Sequence, residues 1–182
     1  MKHKLIVIVL LCTTLMYAQN TNTGTSKHLL KGNLLITPSL EYEKGVTNAT
    51  TLSLQLGVEL GTIENDFLDE TRVVLYPTLD IDYRYYYNFR RRQGKGKNTT
   101  RNSANYFGLA NSFSNANTVF SDFNPRDAYF ITIAGVYGLQ RTYWKKLNLR
   151  FEFGAGYGFS DIQETILPVV NFSLGWVLWN QS

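Results

Sequence analysis

The sequence predicts an all-β fold, a small antiparallel transmembrane β-barrel of about eight strands, from three observations. First, several runs alternate between apolar and polar residues with a period of two, which is typical of strands. Second, these runs are about 11 to 16 residues long, whereas sandwich strands have about 5 or 6 residues and membrane strands need about 9–11. Third, charges and glycines lie in the middle of the polar faces and aromatic residues gather near the ends, as in an outer-membrane barrel.

Seven runs of the sequence are predicted to be strands: 33–43, 50–60, 72–88, 103–113, 127–140, 147–160 and 165–178. In the second of these, leucines and a valine alternate with polar residues and a glycine over the whole length. The run 127–140 is apolar on both faces in its first half, and 103–113 alternates more weakly. The short run 118–123 would be an eighth strand, which would complete the smallest even-numbered barrel.

The N-terminal residues have the layout of a secretory signal peptide. Lys2 and Lys4 precede an apolar run over 5–16, which is too short for a transmembrane helix of about 20 residues. We therefore expect a signal peptide over 1–18, a flexible N-terminal segment over 19–31 that contains His28, and the barrel over 32–179. The single cysteine, Cys12, falls in the signal peptide, so the exported chain is expected to have no disulfide and no cysteine metal site.

The polar faces of the predicted strands carry charges that a barrel would place in its lumen. Because buried charges need partners, we expect a lumen charge network of Glu41, Glu59, Asp80, Asp82, Arg84, Arg150 and Glu152. Asp80, Asp82 and Glu59 could alternatively form a catalytic or calcium-binding carboxylate site, but no spaced ligand motif supports one. We predict no catalytic residue, metal or cofactor. The interior of an eight-stranded barrel is filled by side chains, so a nutrient pore is not expected.

Aromatic residues near the strand ends are predicted to form a girdle at the level of the lipid headgroups, which amphipathic rings prefer. The residues assigned to this girdle are Tyr83, Tyr85, Tyr87, Trp144, Tyr157 and Trp176. Because of these residues, we expect outer-membrane lipid to be a partner of the protein.

The connection that follows the third run is basic and contains Arg90, Arg91, Arg92, Lys95, Lys97 and Arg101. A nucleotide-binding loop requires a glycine five residues before the Gly-Lys pair and a serine or threonine after it, and here Arg91 and Asn98 occupy those positions. Nucleic acid is not an expected partner of an exported chain, and the net charge of the whole sequence is only +4. The connection is either a solvated loop or a contact for lipid phosphates, each cation contributing about 1 kcal/mol near an anionic surface.

The side of the membrane on which this basic connection lies is left open by two conflicting arguments. Counting eight strands from a periplasmic N-terminus places it outside the cell. Bacterial barrels keep their periplasmic turns short, however, and the shortest connections, 44–49 and 141–146, would place it in the periplasm.

Several of these motifs resemble a family of small outer-membrane β-barrel proteins of Bacteroidota. The resemblance lies in "RYYYN" at 84–88, "RRRQGKGKNTTR" at 90–101 and "NSANY" at 102–106. The segments "LEYEKGVTNATTLSL" at 40–54 and "FGAGYGF" at 153–159 are similar to the first hairpin and the glycine-rich penultimate strand of that family. The likeness covers nearly the whole exported chain and implies a fold and a compartment. Such barrels usually finish on an aromatic residue, whereas here Asn180, Gln181 and Ser182 follow Trp179.

The expected function is that of a non-enzymatic outer-membrane barrel, a structural element or accessory subunit that meets a protein partner of an envelope complex through its loops. Two alternatives belong to different classes. One is a soluble secreted β-sandwich that binds a ligand, and the other is a barrel enzyme that modifies lipids.

Overall fold

The computed structural model describes residues 24–35, 37–65, 70–115 and 129–181. The predicted signal peptide and the possible strand 118–123 lie outside these described residues. Within them, no helix is both long and apolar enough to cross a membrane.

Eight antiparallel strands form a closed barrel in which each strand pairs with the next and the first pairs with the last. The strands are β1 (His28–Asn33), β2 (Ser39–Gly45), β3 (Thr50–Asn65), β4 (Glu70–Tyr85), β5 (Asn105–Asn115), β6 (Tyr129–Tyr143), β7 (Leu147–Ser160) and β8 (Glu164–Gln181). In the described part of the chain, the connection between β4 and β5 contains a short α-helix, α1 (Phe89–Gln93), and a 3-10 helix, Thr100–Asn102. The predicted all-β barrel is confirmed, and the two-sheet sandwich is not the observed architecture.

The first strand differs from the prediction. The run 33–43 is not one strand, because β1 ends at Asn33 and β2 begins at Ser39. The predicted flexible segment 19–31 is therefore wrong from His28 onward, where β1 begins, and the strands extend beyond the predicted range 32–179. The prediction failed because the intervening turn, 34–38, begins with three apolar residues and continues the strand pattern.

This early hairpin also supplies the eighth strand. The count of eight came from the run 118–123, whereas eight strands are present without it. The residues just before β1 are also hydrogen-bonded to the rest of the barrel. The Thr25 backbone N–H donates to the Asn48 carbonyl at 3.2 Å, and the Ser26 backbone N–H donates to Asn102 Oδ1 at 2.8 Å.

The radial distribution of side chains is the reverse of that in a water-soluble globular domain. In β2, Glu41 and Glu43 are buried, while Leu40 and Tyr42 between them are exposed. Among the described residues, 20 polar or charged residues are buried against eight hydrophobic ones, and 26 large hydrophobic residues are exposed. The prediction that polar faces point inward and apolar faces outward is confirmed.

The two ends of the barrel differ. The turns 46–49 and 144–146, the connection 86–104, the start of β1 and the end of β8 all lie at one end, which we call the plug end. The turns 34–38 and 161–163 lie at the other, which we call the open end. Because the additional strand is the first one, β1 starts at the plug end, on the same side as the turns 46–49 and 144–146 and the basic connection. The open end has a turn as short as 144–146, namely 161–163, so turn length does not distinguish the two ends.

The wall of the barrel is lower at the β1–β2 hairpin than elsewhere. These strands have six and seven residues, whereas β3 and β4 have 16 each and β8 has 18. Within the described part of the chain, residues 58–65 pair along their length with β4 alone, apart from a bond from the Val58 N–H to the Pro38 carbonyl. Residues 164–173 pair with β7 alone. The result is a notch in the wall above the β1–β2 turn.

Candidate functional site

One carboxylate lies at the centre of the charged lumen. Glu41 Oε1 accepts hydrogen bonds from three cations: Lys31 Nζ at 2.9 Å, Arg84 Nη1 at 2.8 Å and Arg150 Nη1 at 2.8 Å. The Ser53 hydroxyl donates to the same oxygen at 2.9 Å. Because β2 lies between β1 and β3 and its residue 41 points inward, side chains from four different strands can converge on one atom.

A second carboxylate, Glu43, lies one inward position closer to the plug end. It accepts hydrogen bonds from Lys31 Nζ at 2.9 Å, Thr51 Oγ1 at 2.8 Å and the Tyr86 hydroxyl at 2.7 Å. Its side chain has no exposed surface, so these donors replace the water that the carboxylate loses on burial.

Two further acids complete the network. Arg84 Nη2 donates to Asp82 Oδ2 at 2.7 Å, and the Tyr106 hydroxyl donates to Glu152 Oε1 at 2.5 Å. Arg150 Nε lies 3.7 Å from Glu152 Oε2. The arginines therefore each bridge Glu41 to a second acid, which is the pairing that buried charges require.

Most of the predicted lumen network is present. Five of its members are buried and paired: Glu41, Asp82, Arg84, Arg150 and Glu152. Asp80 is half-buried and accepts a hydrogen bond from Gln55 Nε2 at 3.0 Å. Glu59 is exposed towards the open end and lies outside the paired cluster. Sequence reasoning missed Glu43, although it shares the inward face of β2 with Glu41, and Lys31, which was assigned to the flexible segment.

A cavity of about 340 Å³ lies between this network and the open end. Its charged lining residues are Glu59, Asp80, Asp82, Arg150 and Glu152. Apolar, hydroxyl and amide side chains make up the rest of the lining. The cavity also reaches Thr37 of the β1–β2 turn and residues 167–171 of β8, so it extends to the notch. The structure thus brings together Glu59, Asp80 and Asp82, the alternative carboxylate site.

The only histidine among the described residues does not join those carboxylates. His28 lies on the outer wall, where its ring stacks between Tyr42 and Trp179 and its Nδ1 lies 2.6 Å from the Tyr42 hydroxyl. In the described part of the chain, no group of three or more histidine, cysteine, aspartate or glutamate side chains is placed to hold a metal ion.

The connection 86–104 folds over the plug end and closes the lumen. Tyr86, Phe89, Ala104 and Tyr106 form a buried hydrophobic cluster there. Space for the Tyr106 ring comes from Gly138, its direct partner on β6, because a Cβ at that position would lie 2.2 Å from Tyr106 Cζ. The cluster separates the charge network from the solvent beyond this end.

The six predicted girdle residues are all exposed on the outside of the barrel. Five of them, Tyr83, Tyr85, Tyr87, Trp144 and Trp176, lie in the plug half, whereas Tyr157 lies near the open end beside Phe159, with 6.4 Å between ring centroids. The prediction missed a continuous row in the plug half: Tyr87, Phe107, Tyr137 and Phe153 have successive centroid distances of 5.3, 5.5 and 5.3 Å. We call this row the aromatic belt.

The basic connection forms a small cavity of about 250 Å³ at the plug end. It is lined by Tyr87, Asn88, Arg91, Arg92, Lys95, Lys97, Asn105 and Arg141. Four of the six predicted basic residues are thus brought together, and a fifth cation, Arg141 of β6, joins them. Sequence reasoning missed Arg141 because it is 44 residues from Lys97 and reaches the cavity only through the barrel pairing. Partial burial lowers the pKa of Arg92 below its usual value, but an arginine remains charged at neutral pH.

The other two predicted basic residues have different positions. Arg90 is exposed and does not line the cavity. The carbonyl of Arg101 accepts a hydrogen bond from Gln140 Nε2 at 3.3 Å, and its backbone has a φ of 52°. Arg101 therefore helps to fasten the connection to β6.

Comparison of the chain with protein-family models, with curated proteins and with solved structures finds no match.

Proposed function

We propose that the chain is a small, non-enzymatic outer-membrane β-barrel that serves as a structural element or an accessory subunit of an envelope complex. The observation that carries this proposal is the reversed radial distribution of side chains. Charged groups fill the interior, while leucine, isoleucine, valine and aromatic side chains are exposed around the outer wall. Soluble monomers rarely expose contiguous apolar patches larger than a few hundred Å², whereas a closed barrel satisfies its backbone hydrogen bonds between strands, as a lipid environment demands.

Features of the sequence also support an outer-membrane location. A signal peptide over residues 1–18 would export the chain, and the resemblance to small Bacteroidota barrels implies an outer-membrane location. The start of β1 and the end of β8 lie together at the plug end. With the N-terminus taken as periplasmic, the plug end faces the periplasm and the open end faces outward.

Because the lumen is filled, the proposed function depends on the surfaces of the barrel. The charge network occupies the interior near the plug end, and the connection 86–104 covers it, which leaves no room for a nutrient channel. Contacts with a protein partner would therefore involve the exposed connections at the ends or the outer wall.

The barrel assignment is tested by expressing the full chain in a bacterium with an outer membrane. We expect the protein to fractionate with that membrane, to require detergent for extraction, and to migrate faster on a gel before boiling than after it. Recovery of the mature chain in the soluble periplasm or the culture fluid would overturn the assignment. The accessory role is tested by purification of the tagged protein in mild detergent, where we expect it to migrate as a larger complex with a defined second protein.

A lipid-modifying enzyme would require the cavity carboxylates. The double substitution of Asp80 and Asp82 by asparagine leaves the proposed role intact apart from a loss of stability, because Asp82 pairs with Arg84. Loss of a lipid modification in membranes that carry the correctly folded variant would favour the enzyme instead.

A further inference from the structure

We propose that the basic cavity at the plug end binds the phosphate group of an anionic lipid headgroup. The proposal rests on the outer-membrane location for the supply of lipid, but the cavity itself is defined by geometry. Its five cations come from two elements, since Arg91, Arg92, Lys95 and Lys97 belong to the connection 86–104 and Arg141 belongs to β6.

The charge of this cavity is not balanced by the protein. The segment 86–104 contains no aspartate or glutamate, and the cavity lining contains none either. The buried cations of the lumen, Lys31, Arg84 and Arg150, have carboxylate partners within 2.9 Å. None of the five cavity cations has an ion pair with the described acids. Five cations around about 250 Å³ form a site for an anion that comes from outside the chain.

Two of the cations are held in place before any ligand binds. Arg141 donates to Asn105 Oδ1 at 2.5 Å and to the Gln140 carbonyl at 2.7 Å. Arg92 Nη2 donates to the Asn98 carbonyl at 3.0 Å, while its buried Nε has no hydrogen-bond partner. Guanidinium groups bind phosphate oxygens through paired N–H donors, so fixing them in advance lowers the entropy lost on binding.

The position of the cavity selects a lipid over a free phosphate. Tyr87 lines the cavity and also begins the aromatic belt, with its ring centroid 5.3 Å from that of Phe107. A headgroup phosphate in the cavity would place its acyl chains along Phe107 and Tyr137, which lie on the outer wall. An amphipathic ligand can therefore satisfy the charges and cover the adjacent apolar surface at the same time, which inorganic phosphate cannot.

The test uses the full chain, folded and inserted in nanodiscs of phosphatidylcholine that contain phosphatidylglycerol. After transfer to mild detergent, native mass spectrometry measures which lipid stays bound. We expect the unmodified protein to retain phosphatidylglycerol in preference to phosphatidylcholine. Arg92→Gln combined with Arg141→Gln should lower this preference about fivefold for each cation removed.

The matched control is Arg90→Gln combined with Lys44→Gln. It removes the same two charges from exposed residues that do not line the cavity, and we expect the preference to remain. Gel mobility before and after boiling verifies that both variants fold. Equal losses in the two double variants would overturn the proposal, since they would indicate general attraction to charge.

Further outcomes separate the source of the phosphate from the location of the protein. Insertion into nanodiscs without lipid preference, together with calorimetric binding of inorganic phosphate, would overturn the lipid assignment and leave the barrel proposal in place. Failure of the folded chain to enter nanodiscs at all would overturn the outer-membrane function, and the lipid assignment with it.

Discussion

Glu41 is the residue on which the lumen network depends most directly. Its single oxygen Oε1 accepts hydrogen bonds from Lys31, Arg84 and Arg150, and only 1% of its side chain is exposed. Taking a charge out of water is costly unless it is paired, and removing one partner leaves the others buried without compensation. Ionisable groups within a membrane protein face the interior for the same reason.

We expect Glu41→Gln to destabilise the barrel by about 3 to 5 kcal/mol, the usual cost of leaving a buried charge unpaired. The measurement is urea unfolding of the protein refolded in detergent micelles. Glu59→Gln is the matched control, because the same change is made at an exposed carboxylate outside the paired cluster, and its effect should be within about 0.5 kcal/mol. Similar stabilities of the two variants would contradict the central role of Glu41.

At the scale of elements, the β1–β2 hairpin is the least typical part of the barrel. Its strands of six and seven residues are shorter than the 9–11 residues that a membrane strand needs. Its turn, unlike most turns, exposes two leucines, with 66% of Leu34 and 46% of Leu35 accessible. If the barrel spans a membrane as proposed, a short hairpin with an apolar turn would place that turn within the hydrocarbon layer, and the notch above it would connect the lumen cavity with lipid.

A charge in this turn tests that position. We expect Leu34→Lys to lower the stability of the barrel in phosphatidylcholine vesicles by up to about 2–4 kcal/mol, the cost of a lysine on the lipid face near the midplane. Val46→Lys is the control, since Val46 is 49% exposed in the β2–β3 turn at the plug end, where we expect almost no change. Equal effects, followed as the fraction with unboiled gel mobility during urea titration, would show that the β1–β2 turn lies outside the hydrocarbon.

At the scale of the whole molecule, the proposed outer-membrane location requires that one end of the barrel faces the periplasm. The turns 46–49 and 144–146 and the basic connection share the plug end. With the N-terminus taken as periplasmic, the proposed function places the basic cavity at the inner leaflet and opens the lumen cavity outward.

Labelling of single cysteines tests this orientation, because the only native cysteine lies in the predicted signal peptide. Gln163→Cys is at the open end and Arg90→Cys is at the plug end, and both native side chains are exposed. We expect a membrane-impermeant maleimide to label residue 163 on intact cells and residue 90 only after the outer membrane is permeabilised. The reverse pattern would show that the plug end faces outward.

The sequence by itself determined the inside and the outside of this protein. Alternation with a period of two is a local property of an extended chain, so Glu41 and Glu43 on one face and Leu40 and Tyr42 on the other could be assigned without knowing any neighbour. The same reasoning predicted most of the charged lumen and the six strands β3 to β8.

Only the tertiary structure decided which charges meet. Arg150 and Glu41 are 109 residues apart, and Arg84 and Glu41 are 43 residues apart. No local sequence pattern indicates that their strands converge across one lumen. The contact of Arg141 with the basic connection and the contact of Lys31 with the lumen network also depend on which strands become neighbours. Closure of β1 on β8 and the register of each pair are properties of the whole ring, because they depend on which strands become neighbours.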